Sequence, residues 1–94
     1  MKGRHEDASI VLQRNHPNPA QGISAITFQI PDEMTIRLEL YDALGRLVRT
    51  LADQSYNEGT HSVLVKTSEL PSGVYFYRLA GKDEGQVKKM VMFR

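Results

Sequence analysis

Apolar and polar side chains alternate along two neighbouring stretches of the chain. In residues 24–30, Ile26, Phe28 and Ile30 oppose Thr27 and Gln29; in residues 34–41, Met34, Ile36, Leu38 and Leu40 oppose Thr35, Arg37, Glu39 and Tyr41. A two-residue period puts successive side chains on opposite faces, so both stretches read as half-buried antiparallel strands. Pro31-Asp32-Glu33 turns the chain between them. Residues 61–66 repeat the pattern with Val63 and Val65 facing inward. Residues 74–80 and 87–93 are denser in β-branched, aromatic and other apolar side chains, and the glycine-ended cluster at 82–85 joins them as a β-hairpin. Adjacent apolar positions in both hairpin strands predict burial on two faces, with a sheet beside the hairpin and a second layer beneath it.

The remaining segments carry weaker patterns. Residues 1–9 read as a polar tether, and residues 10–94 as one domain that begins with the short strand Ile10-Val11-Leu12. The segment Arg14-Asn15-His16-Pro17-Asn18-Pro19 is expected to form a rigid extended crossing. Its two prolines lack amide donors and restrict the residues before them, which excludes a helix or a central strand. Asp42-Ala43-Leu44-Gly45 is a turn. Beyond it, Leu44, Leu47, Val48 and Leu51 sit at helical spacing, but residues 46–51 are too few for a stable helix and read as a strand. Asn57-Glu58-Gly59 is a tight connection. About seven strands at intervals of roughly 8 to 12 residues predict an all-β, immunoglobulin-like antiparallel sandwich.

Composition narrows the function classes. Ninety-four residues, 40% hydrophobic and 24% charged, suit one small globular domain. No apolar run reaches the ~20 residues that span a bilayer, so stable membrane insertion is not expected. Twelve basic and eleven acidic residues give a net charge of +1, which argues against a nucleic-acid partner. The absence of cysteine excludes disulfides and thiolate metal sites. His5, His16 and His61 are too scattered for a paired metal motif and read as exposed or linker histidines. No serine sits in a nucleophile elbow. The carboxylate pairs at 6–7, 32–33 and 83–84 fall at turns or the terminus and match no calcium loop. The chain is therefore expected to be no enzyme and to need no cofactor or metal. Tyr75, Phe76 and Tyr77 alternate across one strand and read as core more than as a stacking platform, which leaves Tyr41 and Tyr56 as possible exposed contacts. One local bias stands out: Lys88, Lys89 and Arg94 share the last ten residues with no acid. In isolation they read as charges guarding a strand edge.

Four motifs in order then carry a resemblance. Asn15-His16-Pro17-Asn18-Pro19, the segment 36–51 centred on Tyr41-Asp42-Ala43-Leu44-Gly45-Arg46, Leu70-Pro71-Ser72-Gly73-Val74-Tyr75, and the closing Lys88-Lys89-Met90-Val91-Met92 resemble the C-terminal sorting domain of the type IX secretion system, the Por secretion tail family. The likeness covers residues 10–94. His16 stands in place of the usual aromatic, and Ala20-Gln21-Gly22 in place of the commoner Phe-Asn-Pro. The Tyr-Asp-x-x-Gly-Arg signature is also similar to the immunoglobulin-like domain of flagellar hook-capping proteins.

The resemblance implies an address label carried at the end of a larger exported protein. A translocon in the outer membrane of a Gram-negative bacterium would recognise it, and a sorting peptidase would remove it as the cargo reaches the cell surface or the medium. The cargo would precede Met1. The translocon would read Gly73, Val74, Tyr75, Lys88, Lys89, Met90, Val91 and Met92. Two other classes compete: an assembly scaffold of the hook-capping kind, and a carbohydrate-binding accessory module, which would need an exposed stacking face that this composition barely supplies.

Overall fold

The computed structural model describes residues 10–82 and 84–93. The tether expected over residues 1–9 lies outside them. Eight strands follow one another: β1 (Val11–Leu12), β2 (His16–Gln21), β3 (Ile23–Ile30), β4 (Met34–Asp42), β5 (Leu47–Tyr56), β6 (Gly59–Lys66), β7 (Gly73–Gly81) and β8 (Glu84–Phe93). Among the described residues there is no helix.

Strand β3 pairs with β6 along one edge and with β1 and then β2 along the other. The second layer runs β5-β4-β7-β8, antiparallel throughout. The layers meet where β2 lies parallel to β8, with Ala20 opposite Met92 and Gln21 opposite Phe93. Side chains from both layers close one core. Ile26 and Phe28 of β3, Ile36, Leu38 and Leu40 of β4, Tyr77 and Leu79 of β7, and Met90 of β8 are all completely buried. Removing such side chains from water is the main stabilising contribution, about 1.5–3 kcal/mol for each large one. The strands expected at 24–30, 34–41 and 61–66 are present, and Val65 is buried while Val63 is half-buried against the core.

Three features depart from the sequence-based expectation. The crossing at residues 14–19 is extended, yet it enters the sheet as an eighth strand. It pairs with β3 only at its two ends, His16 with Ala25 and Gln21 with Ile23, and its register shifts between them, so neither proline has to donate. The β7–β8 hairpin buries one face, not two: Tyr75, Tyr77, Leu79, Met90 and Met92 point inward, while Val74, Val87 and Phe93 are exposed. Its second face has no layer over it among the described residues.

The third departure is β5, which runs to Tyr56 and not to Leu51. Register shifts fall where Leu38 and Glu39 face Ala52 and Thr50, and where Leu40 and Tyr41 face Arg49 and Leu47. Each shift inserts one extra β5 residue, Leu51 in the first and Val48 in the second. A bulge breaks the two-residue period. It lets Val48 and Leu51, three apart, both pack on the core, and this is the origin of the helix-like spacing.

Candidate recognition surface

The approach to β7 is built from Leu70-Pro71-Ser72-Gly73-Val74-Tyr75. Leu70 is buried and its amide donates to the Thr67 carbonyl at 3.1 Å, while the Thr67 amide donates to the Gly22 carbonyl at 2.8 Å. Gly73 has a φ of +152°, which a side chain disfavours. The Tyr75 ring then turns into the core and its hydroxyl donates back to the Pro71 carbonyl at 2.6 Å. A tyrosine near a strand start bonding backbone a few residues upstream is the tyrosine corner of immunoglobulin-like sandwiches. The motif thus fixes where β7 begins.

The opening segment is locked by its two asparagines. Asn15 is buried, and its Nδ2 donates to the Pro17 carbonyl and to Ser24 Oγ, both at 2.9 Å; Ser24 Oγ in turn donates to the Pro17 carbonyl at 3.0 Å. Asn18 reaches the other layer: its Oδ1 accepts from the Val91 amide of β8 at 3.1 Å. Ala20, fully buried, lies beside Met92. The Tyr77 hydroxyl donates to the Gln13 carbonyl at 2.8 Å and pins the segment's start. None of these partnerships is visible from local pattern, although an asparagine within two residues ahead of each proline was the available clue.

The Asp42-Ala43-Leu44-Gly45-Arg46 turn organises itself. Asp42 Oδ1 accepts from the Leu44 and Arg46 amides at 2.9 and 3.0 Å, Oδ2 accepts from Arg46 Nε at 2.8 Å, and the Gly45 amide donates to the Asp42 carbonyl at 2.9 Å. Gly45 has a φ of +84°, as the third loop residue of such a hairpin requires. The Arg46 amide does most to hold the Asp42 carboxyl below the usual carboxylate range; some desolvation opposes it, and the Arg46 guanidinium and Leu44 amide reinforce it. Asp42 pairs with Tyr75 across β4 and β7, so this turn lies against the start of β7. An open groove of about 370 Å³ runs between them, lined by Leu44, Val48, Leu70, Pro71, Gly73 and Val74 among others.

All four motifs therefore meet at one end of the domain. Gly73 pairs with Met92, Val74 with Val91, Tyr75 with both Met90 and Asp42, and Asn18 of the opening motif accepts from the Val91 amide. The eight residues singled out from sequence divide by direction. Tyr75, Met90 and Met92 are buried; Gly73, Val74 and Lys89 are exposed; Lys88 and Val91 are half-buried. A second groove of about 290 Å³ lies at the β8 edge, lined by Arg14, Asn18, Val87, Lys88 and Lys89.

Other sequence candidates fall elsewhere. His16 is exposed, as expected, but His61 is a half-buried strand residue and not a linker histidine. Its ring lies 4.8 Å from Tyr56 and 5.6 Å from Phe28. Tyr56 is engaged there and is half-buried, not an exposed contact. Tyr41 is half-buried and donates to Glu39 Oε1 at 2.8 Å. Among the described residues no three metal-ligating side chains gather, and no helix is long and apolar enough to cross a membrane.

A family model described as the secretion system C-terminal sorting domain matches residues 15–93. That span runs from the buried Asn15 to the end of β8. No curated protein matches the chain.

Proposed function

Since the chain belongs to the secretion system C-terminal sorting domain family, we propose that its type IX machinery reads the outer face and edge of the β7–β8 pair. The domain is a C-terminal sorting signal for type IX secretion, which takes its protein through the outer membrane to the cell surface or beyond. In this reading the translocon contacts Val74, Lys88, Lys89 and Val91. Tyr75, Met90 and Met92 act through the core, by holding those neighbours in place, and Gly73 sets the angle at which β7 departs. A sorting peptidase then separates the label from its cargo.

One observation carries the reading: motif residues from four separate stretches converge on the end of β8 and the start of β7. Folding alone explains the inward members. Val74 and Lys89, exposed on the outer face, are free of that duty, since exposed charges contribute little to stability, while Lys88 lies half-buried opposite Tyr77 at the rim of the inner face.

The test is a reporter fused ahead of the domain in a host that has the type IX system. Lys88→Ala with Lys89→Ala should leave the melting curve near that of the parent and lower the reporter on the cell surface. Full delivery by the folded double variant would remove the lysines from recognition. Full delivery after truncation behind Gln86 would remove the assignment of β8 altogether.

A further inference from the structure

The edge of β8 that faces away from β7 is covered in two places and open between them. At one end β1 lies against β8, joined through the Gln86 side chain, whose Nε2 donates to the Ile10 carbonyl at 2.6 Å and whose Oε1 accepts from the Leu12 amide at 3.0 Å. At the other end β2 pairs at Ala20–Met92 and Gln21–Phe93, and Asn18 caps the Val91 amide. Between these lies the 290 Å³ groove. Backbone groups in a strand alternate sides with a two-residue period. The Val91 amide faces this edge, so the amides and carbonyls of Lys89 and Val87 face it too, and β2 does not reach them.

Charge distinguishes the gap from an ordinary edge. Arg14, Lys88 and Lys89 line it, and none of the three belongs to an ion pair among the described residues, whose three pairs involve Arg37, Arg46 and Arg49. We propose that the gap at Val87–Lys89 is a docking notch for an extended acidic peptide segment of the protein that recognises this domain. The backbone there offers carbonyls as well as amides. An extended peptide satisfies both, whereas a lone phosphate or carboxylate would meet the carbonyls with its own negative charge. Carboxylate side chains on such a segment meet Arg14, Lys88 and Lys89 in charge-assisted hydrogen bonds. The inference rests on the reading of β8 as the recognised strand and gives that strand's partner a chemistry.

The experiment is an amide chemical-shift titration of the 94-residue chain with a capped peptide whose central residues are a run of glutamates, so that carboxylates lie on both faces of the extended segment. The same peptide carrying glutamine and inorganic phosphate serve as the other two probes. Saturable shifts are expected at Val87, Lys89 and Val91, with the glutamate peptide bound about tenfold more tightly than the glutamine one and weakened by salt. Arg14→Gln with Lys88→Gln and Lys89→Gln should abolish that preference, while Arg37→Gln on the outer face of β4 should not change it. If the triple variant loses its native fold, Lys89→Gln alone, at an exposed position, should still lower the preference. Equal binding of the two peptides, shifts confined to other strands, or binding of phosphate without the peptide would each overturn the notch. None of these would restore or remove the dependence of reporter delivery on the lysines, so the sorting reading stands or falls separately.

Discussion

The two faces of the β7–β8 pair come from the same alternating strands and answer to different constraints. Inward, Tyr75, Tyr77, Leu79, Met90 and Met92 are each 6% exposed or less and belong to the one hydrophobic core. Outward, Val74 is 39% and Val87 57% exposed, with Lys89 beside Phe76 in the cross-strand register. A motif position that faces inward is accounted for by the fold it stabilises. One that faces outward gains almost nothing for the fold, so a requirement for its side chain points to a partner.

The contrast breaks first at the inner face. Met90→Ala leaves a cavity among fully buried neighbours and should cost about 2–5 kcal/mol in denaturant unfolding; a loss under about 1 kcal/mol would mean that β8 is not anchored by its inward residues. Tyr75→Phe keeps the ring and removes the bond to Pro71, so about 1 kcal/mol is expected, with the Leu70, Ser72 and Gly73 backbone amides the first to gain in hydrogen exchange.

The Asp42 turn gives a pH-dependent case. Its carboxyl is more acidic folded than unfolded, so the stabilisation is present above the ordinary carboxylate pKa and fades as pH falls through the lower folded value. Asp42→Asn should therefore flatten the acid limb of a melting-temperature profile while leaving its slope near neutral pH unchanged. An unaltered acid limb would show that the Arg46 contacts do not persist in solution. Smallest in stability is Lys89→Ala at the outer face, expected within about 0.5 kcal/mol of the parent and yet lower in surface delivery. A large destabilisation there would erase the distinction between the faces.

Much of the core was legible because Ile26 to Ile30 and Met34 to Leu40 alternate without interruption, and a half-buried strand needs nothing more. The bulged β5 was harder, since Val48 and Leu51 take spacings that a flat strand forbids. The prolines of β2 argued against pairing, yet pairing needs only its ends. For the recognition surface, sequence marked Gly73 to Tyr75 and Lys88 to Met92 but could not sort them by direction. It placed Arg14 and Asn18 in the opening crossing without their partners and passed over Gln86; the roles of Asn18 and Gln86 arise from contacts more than 70 residues away. Side-chain-to-backbone bonds of that span leave no periodic trace.

The Gln86 clasp has a mechanical consequence. Ile10 enters beside Glu84 and Gln86, whereas the motifs gather around Met92, about 20 Å along the same strand. Tension arriving through residues ahead of Ile10 therefore loads the two-residue β1 before anything else. Its ties to β8 are the Glu84 and Gln86 side chains, which can let go singly, in the manner of a zip. On its other side β1 is held by its ladder to β3, Val11 with Gln29 and Leu12 with Phe28, and the restraints after it, Tyr77 on Gln13 and Asn18 on Val91, lie further along the path of the pull. A pull along the chain ahead of Ile10 therefore meets β1 first and the pole where the motifs gather last.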